Sequence, residues 1–197
     1  EQIGTAIDKD KFAETVTKAI NGFQSEVDLM KEDCYILPKY TKDSPEVAKA
    51  CEKMNSELGA NITLDFSPNT EVVDSSVISQ WITVDDNMQV TFNQDAVKQY
   101  IADLAAKYDT VGKTRNFTTA TGNVVQVEGG GYGWKIDQDA EYNALITNIQ
   151  NAETVTREPN YSSRAATHDA NDWGTTYAEV DLTAQHMYFI QNGQIAM

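Results

Sequence analysis

The residues with the most chemical potential in this sequence are two cysteines, two histidines and a glycine-rich run that ends in aromatic residues. Cys34 and Cys51 are the only cysteines, and without a CxxC pair they form neither a zinc knuckle nor a thioredoxin-type site. His168 and His186 are the only histidines, and neither has a second imidazole at metal-ligand spacing. The sequence therefore predicts no metal site and no cofactor.

The two cysteines leave two alternatives open. A disulfide between Cys34 and Cys51 would stabilise the chain by about 3 kcal/mol in the chain-entropy model. The other alternative is a pair of small buried thiols. Cys51 falls at helical spacing with Val47, Met54 and Leu58, which predicts that it lies on the buried face of a helix.

The glycine run reads GGGYGW over residues 129–134. It lacks the Gly-Lys-Ser/Thr ending of a phosphate loop, and a GxGxxG reading puts Trp134 at the third glycine, so no nucleotide site is predicted. Tyr132 and Trp134 stand beside glycines, where flat rings are free to stack on a sugar or a peptide. Arg115 begins the preceding hairpin and is a candidate partner for a peptide carboxylate. In the alternative interpretation, Trp134 and Trp81 fill the core between hairpin and helix.

Two other patterns point to structure rather than chemistry. A calcium loop starting at Asp85 has Val90 at the position that requires glycine. Asp137 and Asp139 are a carboxylate pair of the kind that a glycosidase uses, but they stand at a predicted helix start. There we expect them to cap the helix and to interact favourably with its dipole.

The elements that position these residues alternate between helices and short strands. Apolar residues at helical spacing, with capping residues before them, predict the helices; alternation and turn residues predict the strands and hairpins. The predicted helices cover about 8–21, 44–59, 74–81, 93–108 and 138–150. The predicted strands lie in 61–66, on both sides of an Asp-Asp-Asn turn within 82–92, in a hairpin turning at 121–123, and in two C-terminal strands joined at 191–193. The fold class is α+β, with helices packed on small antiparallel sheets and hairpins.

Two of the helical segments resemble each other. Residues 133–150 align with residues 4–21 with five identities, pairing Gly133 with Gly4 and Asp137 with Asp8. This similarity suggests a repeated unit. On that interpretation the sequence opens inside the end of one unit and contains a complete second unit.

Composition and charge exclude several partners. The chain has 197 residues, 41% of them hydrophobic, and a formal net charge of -15. Lys and Arg are not clustered, so nucleic acid is not an expected partner. No stretch approaches the roughly 18 uninterrupted apolar residues of a membrane span. Any membrane association is expected only through an upstream anchor.

Several segments, in this order, resemble one family. They are Cys34-Tyr35 with Pro38, the helix with Asn55, Trp81 with Asp85, residues 107–113, residues 129–136, residues 154–159, and residues 171–180 with 185–189. Together they resemble the peptidoglycan-binding accessory domain that precedes the catalytic domain of bacterial L,D-transpeptidases, especially those of Gram-positive bacteria. The resemblance covers nearly the whole chain.

The resemblance implies a domain order and a division of labour. Residues 1–40 would end a preceding repeat unit, 41–160 would form the peptidoglycan-binding α+β domain, and 161–197 would be the linker and first strands of a truncated catalytic domain. The family's nucleophile is a cysteine in a Ser-His-Gly-Cys motif, and nothing here matches it, so this fragment is expected to be non-catalytic. The parent would be an extracytoplasmic, membrane-anchored enzyme that crosslinks peptidoglycan.

The candidate ligand contacts are therefore Tyr132, Trp134, Arg115 and, within the resembling Cys-Tyr segment, Tyr35. The expected ligand is peptidoglycan, through either its glycan strand or its stem peptide. The alternative function is a structural spacer between membrane anchor and catalytic domain that binds no glycan.

Overall fold

A computed structural model describes residues 6–36 and 38–197. These residues form two compact units. The first comprises the described residues up to 52 together with 86–89, and the second comprises 53–85 and 90–197. In the described part of the chain, no helix combines the length and apolar character needed to cross a membrane.

The α+β class is confirmed, and the element order is as follows. The helices are α1 (Lys9–Asn21), α2 (Pro45–Glu57), α3 (Ser75–Ile78), α4 (Gln94–Tyr108) and α5 (Gln138–Gln150). The strands are β1 (Asn61–Phe66), β2 (Asn69–Val73), β3 (Ile82–Val84), β4 (Val90–Phe92), β5 (Arg115–Thr118), β6 (Val124–Val127), β7 (Lys135–Ile136), β8 (Thr154–Arg157), β9 (Tyr161–Ser163), β10 (Tyr177–Asp181), β11 (His186–Gln191) and β12 (Gln194–Ile195).

Side-chain caps start the helices where the sequence predicts. The Asp8 carboxylate accepts hydrogen bonds from the backbone N–H groups of the first turn of α1. Asp74, Asn93 and Asp137 do the same for α3, α4 and α5. Each cap satisfies backbone donors that have no partner inside the helix. The capping role predicted for Asp137 is confirmed.

In the first unit the expected disulfide is absent and the expected burial of Cys51 is wrong, whereas Cys34 is a buried free thiol as the second alternative predicts. Both thiols are free, and Cys34 is buried whereas Cys51 is exposed. Cys34 Sγ donates to Thr15 Oγ1 at 3.4 Å. The buried positions of α2 are Ala50 and Glu57, which are seven residues apart and therefore share a helix face. Because this face runs one residue away from Cys51, the Cys51 thiol is exposed.

The core of the second unit forms around a three-stranded sheet of order β2-β1-β8. Alternate residues of β1, Ile62, Leu64 and Phe66, are buried, and they pack in one cluster with residues of α4 and α5. Strand β1 pairs antiparallel with β2 but parallel with β8. The parallel pair departs from the predicted all-antiparallel sheets, because α5 crosses over before β8 returns to the sheet.

A buried ion pair fastens α5 to the end of β8. Glu141 is fully buried, and both of its oxygens accept from the Arg157 guanidinium, at 2.8 and 3.0 Å. The Asn160 backbone N–H and side-chain amide also donate to Glu141 Oε2, both at 2.8 Å. Removing one partner would leave a buried charge without compensation, so this cluster stabilises the crossover.

Helices α1 and α5 share local geometry as well as sequence. Each has 13 residues and an aspartate cap, Asp8 or Asp137. The residue before each cap forms an antiparallel bridge to a tyrosine, Ile7 to Tyr35 and Ile136 to Tyr161. Two residues beyond the last helical residue, Phe23 and Ala152 have φ angles of 53° and 52°. The aligned Gly4 lies outside the described residues.

The C-terminal strands differ in number from the prediction. The hairpin at Asn192-Gly193 is present, and both residues have positive φ, 52° and 76°, as tight hairpin turns require. The sequence predicted two strands, but the structure has three, because β10 and β11 form a second hairpin. The Asp181 carboxylate accepts from the N–H groups of Thr183 and Ala184 in the connecting turn.

Candidate functional site

The candidate residues of the second unit gather around the β5–β6 hairpin and the glycine run. Arg115 pairs with Val127 and Phe117 pairs with Val125 in the antiparallel ladder. Because side chains alternate along a strand, Arg115 and Phe117 share one face of β5. The chain leaves β6 at Val127 and enters the glycine run at Gly129, and Tyr132 lies beside this face, where its carbonyl oxygen accepts from Arg115 Nη2.

The glycines of the run have two different roles. A Cβ on Gly129 would lie 2.0 Å from the Gly112 carbonyl carbon. Gly133 has a φ of +139°, and a Cβ there would lie 2.6 Å from the Val111 nitrogen. A Cβ on Gly130 or Gly131 would meet no atom within 4 Å. The outer glycines thus permit close backbone packing, whereas the middle two border open space.

Arg115, which the sequence predicts as the partner of a peptide carboxylate, is held in an internal ion pair. Its Nε donates to Asp172 Oδ1 at 2.8 Å and its Nη2 to Asp172 Oδ2 at 2.6 Å. Its Nη1 donates to the Lys113 carbonyl oxygen, and its Nη2 also lies within hydrogen-bond distance of the Thr110 and Tyr132 carbonyl oxygens. With this set of partners, the guanidinium has no free donor pair for a ligand.

Electrostatics around Asp172 favour the ionised pair. Burial by itself raises the pKa of Asp172, but hydrogen bonds from Arg115 and Thr110 outweigh burial, and the pKa lies below its ordinary value. The hydrogen bond to Asp172 also raises the pKa of Arg115. Both groups are therefore charged at neutral pH. We call this pair the Arg115–Asp172 clamp.

Tyr132 is oriented by the same clamp. Its hydroxyl donates to the Asp172 carbonyl oxygen at 3.1 Å and accepts from the Ala166 N–H at 2.9 Å. The residue remains 47% exposed. The Tyr132 ring is therefore exposed to solvent in a fixed orientation, while its hydroxyl makes hydrogen bonds within the protein.

Trp134 is packed in the protein interior, as the alternative interpretation predicts. It is buried, and its Nε1 donates to the Thr167 carbonyl oxygen at 2.7 Å. The His168 ring stacks on it at a centroid distance of 3.8 Å and an angle of 8°, and Tyr161 lies 4.7 Å away. Trp81 is also buried in the core. Burial and these ring contacts cover Trp134, which the sequence predicts as a stacking platform for a ligand.

The histidines occupy different environments. His168 is partly buried against Trp134, and burial lowers the pKa of its imidazole. His186 begins β11, in the strand that the sequence predicts, and is exposed next to the Tyr188 ring. In the described ranges, no group of three metal-ligating side chains comes together.

Tyr35 belongs to the first unit. It is partly buried and forms the bridge to Ile7. The structure brings Arg115, Tyr132 and Trp134 together in the second unit, but Tyr35 is not part of that group.

Among the residues that the structure describes, Trp173 lines two clefts that border the hairpin. The first cleft has a volume of about 320 Å³ and is lined by Arg115, Phe117, Val127, Glu128, Gly130, Gly131, Tyr132 and Trp173. The second cleft has a volume of about 220 Å³ and is lined by Asn116, Thr118, Asn171, Trp173, Gly174, Thr175, Tyr177 and Gly193. The first is mainly aromatic and aliphatic, whereas the second carries amide and hydroxyl side chains.

An aromatic cluster supports Trp173 between the clefts. The Phe117 ring lies 5.4 Å from Trp173 and 5.6 Å from Tyr177, within the range of favourable aromatic pairs. Sequence reasoning did not select Trp173 as a ligand contact. Trp173 is followed by Gly174, so it has the same pattern of an aromatic residue next to a glycine by which the sequence analysis selected Tyr132.

Glu128 is the one acidic residue that lines the first cleft. Its side chain is exposed. Within the described part of the chain, its carboxylate has no hydrogen-bond or ion-pair partner. Because Arg115 is neutralised by Asp172, the net charge of this cleft is negative.

Comparison with known proteins decides the family. The sequence model described as "Putative peptidoglycan binding domain" matches residues 40–157, which is more than half of the chain. The chain belongs to this family. The matched range of this peptidoglycan-binding domain includes Arg115, Glu128 and Tyr132, whereas Asp172 and Trp173 lie beyond its end.

Solved structures give a consistent result. The chain is similar to the Ldtfm–avibactam carbamoyl enzyme, with 30% identity and a TM-score of 0.58. It is also similar to a cysteine-to-serine mutant of the Enterococcus faecium L,D-transpeptidase, with 31% identity and a TM-score of 0.56. Both similarities cover 76% of this chain, but only 58% and 59% of the solved chains. No curated protein sequence matches the chain.

Proposed function

We propose that this chain is a non-catalytic module that binds peptidoglycan and positions the catalytic domain of an L,D-transpeptidase at its substrate. The observation that carries this proposal is family membership over residues 40–157. The similarity to two L,D-transpeptidase structures supports the identity of the parent enzyme. In this proposal the module works outside the cytoplasm, at the cell wall, in a protein that a separate segment anchors to the membrane.

The proposed domain order places the chemistry outside this module. Residues 1–40 would end a preceding unit of the same kind, and the shared geometry of α1 and α5 supports this. Residues 41–160 would form the binding domain, and residues 161–197 would lead into the catalytic domain. A catalytic cysteine beyond this module would attack a stem peptide and pass its acyl group to the amine of a neighbouring stem.

Binding would act through proximity rather than through new chemistry. A module that holds the wall polymer raises the effective concentration of stem peptides near a tethered catalytic domain. The two clefts around Trp173 offer suitable contacts, because flat or extended ligands can approach the exposed Tyr132 ring beside Gly130 and Gly131. In this proposal the ligand is peptidoglycan, through its glycan strand or its stem peptide.

Retention on purified sacculi tests the proposal. The 197-residue chain is expected to co-sediment with sacculi more than a control protein of equal net charge. Gly131→Leu is expected to reduce retention, because Gly131 lines the first cleft and a Cβ there would meet no protein atom within 4 Å. Val124→Leu is the matched control, since Val124 is 68% exposed and lines neither cleft. Retention equal to the control protein would reject the binding function.

The second candidate function is a rigid spacer, and the Arg115–Asp172 clamp favours it. The clamp joins the β5–β6 hairpin to the segment that follows β9 through a pair that is nearly inaccessible to solvent. Such a joint suits a protein that holds a neighbouring domain at a fixed height. Absence of retention on sacculi, together with a clamp that measurably stabilises the fold, would favour the spacer.

A further inference from the structure

The first cleft has an unusual combination of surfaces. Three aromatic rings, those of Phe117, Tyr132 and Trp173, surround it, and Val127 adds an aliphatic surface. Its one acidic residue, Glu128, has no partner among the described residues. Its one basic residue, Arg115, is neutralised internally. Aromatic faces with an uncompensated carboxylate favour a cation.

The polar groups of this cleft do not suit a sugar. Carbohydrate hydroxyls need hydrogen-bond partners to replace water, and burying them without partners costs free energy. The Arg115 donors are used by Asp172 and by backbone carbonyl oxygens. The Tyr132 hydroxyl is used by Asp172 and Ala166. Glu128 is the one side chain of the lining that is free to accept from a sugar hydroxyl, so most hydroxyls of a sugar in the first cleft would lose hydrogen bonds that the lining does not restore.

We infer that the first cleft binds a primary ammonium group carried on an alkyl chain. This rests on the proposed function, within which the ligand is the free amine of a diamino acid in the stem peptide rather than the glycan strand. The alkyl chain packs on the rings and on Val127, the ammonium group lies over a ring face, and Glu128 balances its charge. No covalent step is involved.

Size and charge agree with this ligand. The cleft volume of about 320 Å³ lies at the lower end of the roughly 300–1,000 Å³ of ligand pockets, which is large enough for an alkylammonium side chain. The net charge of -15 attracts cations to the protein and speeds their approach at low salt.

A soluble probe tests the cleft directly. The 197-residue chain is titrated with Nα-acetyl-L-lysine methylamide while NMR follows the amides of Gly130 and Gly131 and the indole N–H of Trp173. Saturable shifts at these three groups are expected. The Nε-acetylated probe, which lacks the charge, is expected to bind about five- to tenfold more weakly. No shifts at these groups, or equal affinity of the two probes, overturns the inference.

Variants separate a local effect of Glu128 from an effect of total charge. Glu128→Gln is expected to weaken binding of the charged probe about five- to tenfold and to leave the acetylated probe unaffected. Glu26→Gln removes the same charge from an exposed position of the first unit and is expected to change neither affinity. Equal effects of the two substitutions contradict a specific role for Glu128.

Chemically modified sacculi distinguish this inference from the proposed function. Acetylation of the free amines of sacculi is expected to reduce retention of the chain at least threefold. If retention on acetylated sacculi is unchanged, the amine is not the determinant, although peptidoglycan binding stands. If retention fails on untreated sacculi as well, the proposed function is wrong, and the probe titration alone then decides whether the cleft binds amines.

Discussion

Breaking the Arg115–Asp172 clamp should destabilise the second unit strongly. Asp172→Ala removes three hydrogen bonds to the carboxylate, two from Arg115 and one from Thr110 Oγ1 at 2.6 Å. The Arg115 side chain is only 14% exposed, so its charge would lose its compensation. Removing one partner of a buried pair costs about 3–5 kcal/mol. Arg115 keeps its three carbonyl acceptors, so we expect the lower end, about 3 kcal/mol.

Urea unfolding, monitored by tryptophan fluorescence, measures this loss of stability in the second unit. All three tryptophans, Trp81, Trp134 and Trp173, lie in the second unit, so the fluorescence change reports on that unit. Asp169→Ala is the matched control, because Asp169 is exposed three residues before Asp172. It should change the free energy of unfolding by less than about 0.5 kcal/mol.

A double-variant cycle and a pH series complete the test. With Arg115→Leu added, the loss should be smaller than the sum of the single losses by about 2 kcal/mol. Because the folded pKa of Asp172 lies below its unfolded value, its contribution is complete above about pH 4 and is lost as the pH falls through the folded pKa. If Asp172→Ala costs less than about 1 kcal/mol, as an exposed pair would, the clamp is energetically unimportant and the reasoning fails.

Three further predictions concern the second unit. Burial raises the pKa of Glu57, whose carboxylate oxygens accept no hydrogen bond in the described structure. Glu57→Gln should therefore increase the free energy of unfolding at pH 7 by about 1 kcal/mol. A lower free energy of unfolding, measured by urea unfolding, would contradict this. Gly133→Ala should lower the free energy of unfolding by more than about 2 kcal/mol, whereas Gly131→Ala should change it little. Equal effects of the two substitutions would show that the close packing of Gly133 against the Val111 backbone is not required. Burial lowers the pKa of His168, so its contribution to stability is complete above about pH 6.5 and is lost as the pH falls through the folded value. His168→Phe should keep the stack on Trp134 and remove this part of the pH dependence of unfolding, and an unchanged pH profile would rule His168 out as its source.

The clamp also affects how the module would connect to a neighbouring domain. Segment 164–174 is held to the rest of the second unit through Asp172, through the Thr167 carbonyl oxygen and through the His168 ring. These contacts leave Trp173 at the surface between the two clefts. The segment that would lead to a catalytic domain thus also completes both clefts.

Local sequence determined most of the helices and hairpins. Asp8, Asn93 and Asp137 start their helices because a short polar side chain can satisfy the free N–H groups of a first turn. Asn192-Gly193 forms a hairpin because both residues accept positive φ. These signals depend on neighbours a few residues away, so they could be predicted without the fold.

Tertiary structure decided the strand partners and the free surfaces. The sequence did not predict β8 or its parallel pairing with β1, because a short strand acquires its partner only when α5 crosses over. Cys51 matched the helical periodicity, yet the buried face of α2 passes through Ala50 and Glu57 instead. Periodicity identifies a helix more reliably than it identifies which face becomes buried.

The site shows the same division. The sequence selected Arg115, Tyr132 and Trp134 by residue type, and these residues do gather in space. Whether each is available to a ligand depended on groups far along the chain: Asp172 is 57 residues from Arg115, and His168 covers Trp134. Residue type determined which chemistry each side chain can perform. Only the folded chain determined which side chains are held by other residues and which are accessible to a ligand, because contacts between distant residues leave no local pattern in the sequence.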